Sequence, residues 1–263
     1  MDAANSPPPA QLRIIRDQAH DAAFNMAADR FLMESAAQTC RVILRTYSWK
    51  APAITLGCMQ RAEMLLDAHA MNAGGVFSIS RITGGRAVLH WNDLTYSCGF
   101  PVGMSEMGRS IAESYAVIGR CLSAGLLNAG IATETHDSWA DNHDVRNQRL
   151  PCFCSSNRNE LLVKGKKLVG SAQKRTRSSV LQHGSIPLDD HFCRLGEFMN
   201  ASPAEKEEVA ELFKYKCTWV RAIVPAIGPD YLAECIEKGF VETLGLAAEV
   251  KGWTAEELNV IGH

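Results

Sequence analysis

Two adjacent glycines flanked by arginines are the first place where this sequence could hold a ligand. In Arg81-Ile-Thr-Gly-Gly-Arg-Ala-Val-Leu-His90, Gly84 and Gly85 allow close backbone approach and positive φ. Arg81 and Arg86 can pair with a phosphate or a carboxylate. The plainer reading is a β-turn with surface arginines. Neither a G-x-x-x-x-G-K-[ST] run nor a strand followed by G-x-G-x-x-G is present, so P-loop and dinucleotide-binding chemistry are set aside. A second run, Lys164-Gly-Lys-Lys-Leu-Val-Gly-Ser-Ala-Gln-Lys-Arg175, brings lysines to the start of a strand that then carries Gly170, Ser171 and Ala172. An ammonium would sit there beside a surface stripped of side chains, on which an acyl group could lie. The competing reading is an exposed basic hairpin.

A nucleophile is available in Cys152, which falls in a polar loop rather than in a core segment. A loop thiol near a lysine has a pKa below the usual ~8.5, and the thiolate is the attacking species. Cys154 would face the same side of an extended segment, and side-chain chemistry alone does not choose between the two, or between either and an incidental thiol. In Leu181-Gln-His-Gly-Ser185, His183 could act as a base or hold a carboxylate, although a lone histidine is more often structural. His136, Asp137, Asp141, His143 and Asp144 match no metal-ligand spacing. They read as a solvated loop, and no metal is expected.

The elements that must position these residues follow from periodicity. Asp21 to Ala37 has helical spacing of Phe24, Ala27, Ala28, Phe31 and Leu32 with no Gly or Pro. Arg41 to Tyr47 and Ala53 to Gly57 read as strands around a turn at Pro52. Arg61 to Asn72 suits one helix closed by Gly74 and Gly75. Val76 to Ile82 reads as a strand running into the glycine turn. Ala87 to His90 and Leu94 to Cys98 read as strands around Trp91, Asn92 and Asp93. Ser110 to Ala129 is a long amphipathic helix. Residues 136–158 are a long polar loop, of the kind that is usually functional or disordered. Glu160 to Val163, Lys166 to Gln173 and Ser179 to Ile186 read as three strands, the first two joined by a Lys164-Gly165 hairpin turn. After Pro187 the pattern turns helical, with a capped start at Ser202-Pro-Ala-Glu205 and a further helix from Tyr231 to Leu244.

Composition bounds the rest. The chain has 263 residues, 46% of them apolar and 21% charged, which suits a packed core and not disorder. Lys plus Arg is 27 and Asp plus Glu is 29, a net charge of -2 that excludes a nucleic-acid binder driven by bulk positive charge. No apolar run approaches ~18 residues, so no membrane span is expected. The polar, Pro-rich stretch Met1 to Ala10 reads as a flexible leader, not a signal peptide. The nine cysteines are odd in number and scattered, so reduced thiols and a cytoplasmic setting are expected.

Taken in order, these segments resemble the superfamily of lipoate-protein ligases and octanoyltransferases, which also includes biotin-protein ligases. Asn25-Met-Ala-Ala-Asp29 resembles its N-terminal helix signature. Thr55-Leu-Gly57 with Gln60 resembles the next motif. Arg81 to His90 with Leu94-Thr-Tyr-Ser97 resembles the ligand loop, and Lys166 to Gln173 and Gln182-His-Gly184 complete the set. Cys152-Phe153 and its interval to Lys167 are similar to the catalytic cysteine and lysine of the LipM-type octanoyltransferases, and this resemblance selects Cys152 over Cys154. Trp91, where the family often has Asp, departs from the pattern. Arg158-Asn159-Glu160 resembles the nucleotide-binding Arg-Asn-Asp of true ligases.

The resemblance implies an α+β fold: a mixed, largely antiparallel sheet flanked by helices, with C-terminal helices. Residues 1–20 would be the leader and first strand. Residues 38–248 would form the lipoate/biotin-protein ligase-type catalytic domain, helical from about 203. It implies octanoyl transfer from octanoyl-acyl carrier protein to a lysine of a lipoyl domain through a thioester on Cys152. In this scheme Lys167 lowers the cysteine pKa and polarises the acyl carbonyl. Arg81, Thr83, Gly84, Gly85, Arg86, His90, Gly170, Ser171, Ala172 and His183 would bind substrate. An octanoyl tail would gain roughly 5 kcal/mol from about six buried methylenes, before costs. No cofactor is implied. The alternative is an ATP- and Mg²⁺-dependent lipoate-protein ligase, and a second is an inactive acyl- or carrier-binding module, against which the presence of both Cys152 and Lys167 argues. Expected partners are acyl carrier protein and lipoyl-domain proteins, such as glycine cleavage H protein and 2-oxoacid dehydrogenase E2 subunits, with no nucleic acid, no membrane and a monomeric chain. The basic run Lys164, Lys166, Lys167, Lys174, Arg175 and Arg177 would suit docking of such acidic partners.

Overall fold

Alternating burial along two strands sets the architecture. In the computed structural model, which describes residues 11–39, 41–135 and 160–262, Leu12, Ile14, Val42 and Leu44 pack into one core and Ile15 and Ile43 into another. Successive side chains of a strand point to opposite faces, so this sheet is apolar on both sides and needs cover on both. In chain order the elements are β1 (Gln11–His20), α1 (Ala22–Thr39), β2 (Val42–Trp49), β3 (Ala53–Leu56), α2 (Ala62–Leu65), α3 (Ala68–Gly74), β4 (Phe77–Ser80), β5 (Val88–His90), β6 (Asp93–Pro101) and α4 (Ile111–Asn128). Then come β7 (Glu134–Thr135), β8 (Leu161–Val163), β9 (Lys166–Lys167), β10 (Gly170–Arg175), β11 (Ser179–Pro187), α5 (Pro203–Lys216), α6 (Pro229–Leu244), β12 (Ala247–Val250) and α7 (Ala255–Ile261).

The main sheet runs β10-β11-β6-β2-β1-β12, antiparallel from β10 to β2 and parallel from β2 to β12. Helices α4 and α6 cover one face, where Val117, Ile118, Leu122, Leu232, Ile236 and Phe240 meet Leu44, Tyr96, Cys98 and Phe100. Helix α1 covers part of the other through Leu32 and Met33 on Ile15, Ile43 and Leu181. A small sheet, β4-β3-β5, packs its Ile54, Leu56 and Leu89 against Phe192, Leu195 and Phe198 of a 3-10 segment and Val209 and Phe213 of α5. A third sheet is the ribbon β7-β8-β9. This is the mixed α+β architecture that the sequence pattern predicts.

The departures have local causes. The single helix expected over 61–72 breaks at Leu66, because Asp67 accepts from the His69 and Ala70 amides and caps a new helix, α3. The strand expected over 166–173 splits in two. Leu168 and Val169 are both buried in the core, so the chain turns a corner there, β9 pairing with β8 and β10 with β11. The C-terminal part is not purely helical, because β12 leaves α6 to pair with β1. The Lys164-Gly165 turn forms as expected, with both residues at positive φ. Of the described cysteines, Cys98, Cys121, Cys193, Cys217 and Cys235 are buried and Cys58 is exposed. Residues Met1 to Ala10, Cys40 and 136–159 lie outside the described residues, and with them Cys152, Cys154, the acidic and histidine cluster and Arg158-Asn159.

Candidate active site

The α1-facing side of the main sheet carries its polar residues. On β2, Arg45 and Tyr47 share the face of Ile43. On β6, Thr95 and Ser97 lie on that face, and on β11, Leu181, His183 and Ser185. Helix α1 sets Asn25 and Asp29 one turn apart, both buried, over Arg45. Between this face and the small sheet lies a cleft with mostly apolar walls and a few convergent polar groups, the make-up of a small-molecule site. Met26, Tyr47, Trp49, Val88 and Ala172 supply apolar walls, and Arg81, His90, Lys167 and His183 converge on it.

Two Thr–His–Asp relays border the cleft. In the first, Thr83 Oγ1 lies 2.7 Å from His183 Nε2, and His183 Nδ1 lies 2.6 Å from Asp29 Oδ2. An ionised carboxylate only accepts, so His183 donates to Asp29 from Nδ1, and its Nε2 shares a hydrogen bond with the Thr83 hydroxyl. Ser97 donates to Asp29, as does Tyr47 at 3.3 Å, and the Arg45 guanidinium lies 3.6 Å away. Burial, and then the Asp29 charge, hold the Tyr47 phenol well above its ordinary pKa, so it stays a donor. In the second relay, Thr55 Oγ1 is 3.0 Å from His90 Nε2, and His90 Nδ1 is 2.8 Å from Asp93 Oδ2. Ser185 and Thr95 donate to the same Asp93 oxygen at 2.5 and 3.1 Å, and Trp49 stacks on His90 while donating to Thr95.

The glycine turn is held by the arginine that precedes it. Arg81 donates to Gly84 O at 2.9 Å, to Arg86 O at 2.7 Å and to Thr55 O at 2.9 Å. Gly85 has φ 94°, and a Cβ on Gly57 would stand 2.0 Å from Gly85 O. Glycine at 57 is what lets the turn fold down against the end of β3. Arg81 thus scaffolds the turn while lining the cleft. Thr83, Gly84, Gly85 and Arg86 do not line it themselves, and the turn reaches it through Thr83 on His183.

Lys167 enters from the ribbon. Its Nζ is 2.6 Å from Glu160 Oε1, and both side chains are buried. The backbone O of Lys167 accepts from Thr218 N, which ties β9 to the end of α5. Gly170, Ser171 and Ala172 follow on β10 and form one wall. Ser171 Oγ is 2.8 Å from Tyr96 OH, whose own ionisation is pushed up by burial, and Tyr115 OH donates to Ser171 O at 2.6 Å. Lys167 is therefore no part of a solvated basic face, contrary to its place in the expected docking run. Lys164, Lys166, Lys174 and Arg177 are exposed, and Arg175 is half-buried and donates to Arg109 O.

The profile of the lipoyl protein ligase A/B catalytic domain matches residues 21–241. The chain belongs to that family. Among its relatives, the octanoyltransferase LipM of Kyrpidia tusciae is 35% identical over 93% of this chain and 91% of its own length. That of Macrococcus caseolyticus is 36% identical over 87% and 83%. The bi-partite lipoate protein ligase of Thermoplasma acidophilum superposes with a TM-score of 0.78 at 18% identity, covering 97% of this chain and 91% of the other. That likeness is one of fold. This member of the family is an enzyme, an acyltransferase.

Of the residues singled out in the sequence, the fold brings Arg81, His90, Lys167, Gly170, Ser171, Ala172 and His183 to one cleft. Arg45 and the cleft residue Trp49 carry no role in the sequence reading, and Asp29, Thr55, Asp93 and Ser185 stand there within motifs or a turn without a role of their own. Two of them had a signal. Arg45 is the one charge inside a strand that opens on Val42, Ile43 and Leu44. Asn25 and Asp29 are polar residues spaced i, i+4 on the buried face of a helix.

Proposed function

We propose that this acyltransferase moves an octanoyl group from octanoyl-acyl carrier protein to a lysine of a lipoyl domain through a thioester on Cys152. The observation that carries the reading is Lys167: a buried lysine at the head of a cleft whose wall is Gly170-Ser171-Ala172, with apolar room beyond it. Identity of 35% to an octanoyltransferase along nearly the whole chain supports the acyl group. The Thermoplasma ligase, studied with its E2 lipoyl domain, supports a lipoyl-domain acceptor.

The Cys152 thiolate adds to the donor thioester carbonyl, and the carrier's thiolate leaves and takes up a proton. The neutral amine of the acceptor lysine then adds to the acyl-enzyme. The amide forms, its proton is lost, and the Cys152 thiolate is released. Thioester exchange is nearly isoenergetic and amide formation runs downhill, so the route uses neither ATP nor Mg²⁺. Paired with Glu160, Lys167 is a fixed positive charge that would stabilise the oxyanion of each addition. Buried thiols are poor rivals for the nucleophile, since burial pushes Cys121 and Cys193 up to about 12.

Intact-protein mass spectrometry after mixing the chain with octanoyl-acyl carrier protein, without ATP, tests this. A hydroxylamine-labile octanoyl adduct is expected on the native chain and on Cys154→Ala, and none on Cys152→Ala. No adduct, with lipoyl-domain modification appearing only when lipoate, ATP and Mg²⁺ are supplied, overturns it in favour of a ligase.

A further inference from the structure

Trp253 lies beyond residues 21–241 matched by the family, on a turn between β12 and α7, yet it sits at the outer end of a continuous buried chain. Its indole N–H donates to Asp17 Oδ2 at 2.8 Å, and the same oxygen accepts from Arg45 Nε at 2.9 Å. Arg45 is fully buried. It donates to Asn25 Oδ1 at 2.7 Å and faces Asp29 at 3.6 Å. Asp29 holds His183, and His183 holds Thr83 in the glycine turn.

An apolar route runs beside the polar one. Trp253 and Ile82, the residue before Thr83, pack against the same small cluster of Ile15, Leu32, Met33, Ile43 and Leu181. The turn that carries Trp253 is itself pinned. Arg13 makes a two-pronged pair with Glu257 at 2.5 and 2.8 Å and donates to Gly252 O at 2.6 Å and Lys251 O at 3.1 Å. A side chain needed only to cover the cluster would not aim its one donor at a carboxylate already bound to a buried guanidinium.

We propose that Trp253 is a positioning residue for the glycine turn beside the cleft, acting through Asp17, Arg45, Asp29 and His183 on Thr83. The octanoyl carrier as the ligand rests on the octanoyl-transfer reading above, whereas the coupling to the turn does not. Coupling between separated sites is carried by packed side chains and by hydrogen-bond and ion-pair networks. Here the polar route ends on Thr83 and the apolar route on its neighbour Ile82.

The test compares the native chain with Trp253→Phe, which keeps a ring on the cluster but removes the N–H, and with Asp17→Asn as a second variant. KM for the octanoyl carrier is expected to rise about fivefold in each with kcat unchanged, a loss of ground-state ordering and not of chemistry. Amide hydrogen exchange without substrate is expected to speed up at residues 82–86 and not in β4. Unchanged KM with unchanged exchange at 82–86, or exchange that speeds up evenly along the chain as Tm falls, overturns the proposal. Should the native chain transfer no octanoyl group, the activity reading fails by itself, and the exchange measurement alone decides the positioning role.

Discussion

The two Thr–His–Asp relays have the same order of groups and opposite dependence on the fold. In the Thr55–His90–Asp93 relay the histidine and carboxylate are three residues apart at the β5–β6 turn, and the carboxylate is met by the hydroxyls of Ser185 and Thr95. In the Thr83–His183–Asp29 relay the histidine lies 154 residues from its carboxylate, and a buried guanidinium stands beside the acid. The first is local in its histidine and carboxylate, with hydroxyls brought from β3 and β11. The second joins helix, sheet and turn, and it includes a charge that water cannot reach. The difference shows that equal hydrogen-bond geometry need not mean equal consequence: what matters is which group is stranded when one member is lost.

The largest contrast to look for is in stability. Asp29→Ala removes an acceptor from His183, Ser97 and Tyr47 and leaves Arg45 with one fewer carboxylate. The unfolding free energy should fall by about 3–5 kcal/mol. Asp93→Ala strands the Ser185 and Thr95 hydroxyls and the His90 ring N–H, with no guanidinium beside them, and should lower it by about 1–3 kcal/mol. Urea unfolding of the two variants at neutral pH measures both. Equal losses would show that the Arg45 charge plays no part.

The same contrast explains what could be read in advance. Most elements are legible, because α1 and α4 bury one regular set of side chains each, and β2 and β11, though buried on both faces, are short runs of strand-favouring residues. The ligand loop and the Gly170-Ser171-Ala172 wall are visible as composition. The long relay is not, since Asp29 meets His183 only because α1 crosses β6 and β11 on the Arg45 side of the sheet. The resemblance assigns Lys167 to the site, where the fold puts it, but its inclusion in the exposed docking run fails for a related reason. In a Lys-Lys pair beside a hairpin turn both residues look solvated. Which of them turns inward is fixed by the register that sets Lys167 opposite Leu162 and by Glu160, which receives its ammonium.

A middle-sized effect separates the relays by function. Thr83→Val and Thr55→Val each remove one hydroxyl and keep the side-chain volume, with a stability loss of about 1 kcal/mol apiece. Thr83 is the tie between turn and cleft, so its variant should bind the octanoyl carrier several-fold more weakly, about fivefold in KM. In the Thr55 variant Arg81 still holds the turn through Thr55 O, Gly84 O and Arg86 O, and KM should stay near native. Steady-state kinetics at fixed acceptor distinguishes them, and a matching rise in both would mean that the turn is not held from the His183 side.

The smallest effect is the acid response of the charged relay. Burial pushes the Asp17 carboxyl up, but the Arg45 charge and hydrogen bonds from Trp253, His20 and Arg45 outweigh it, leaving the pKa below its ordinary value of 3.8. A carboxyl whose folded pKa is lowered adds stability that is complete above the unfolded value and is lost as pH falls through the folded one. The native chain should therefore exceed Asp17→Asn in unfolding free energy by a constant amount from neutral pH down to about the ordinary carboxylate range, and the gap should narrow below it. Paired urea titrations in acid give the gap directly. A gap that holds unchanged to the lowest pH at which the chain stays folded would mean that Asp17 contributes as a hydrogen-bonding shape and not as a charge. The guanidinium would then draw its compensation from Asp29 alone, and the long relay would depend on that one carboxylate even more than the geometry suggests.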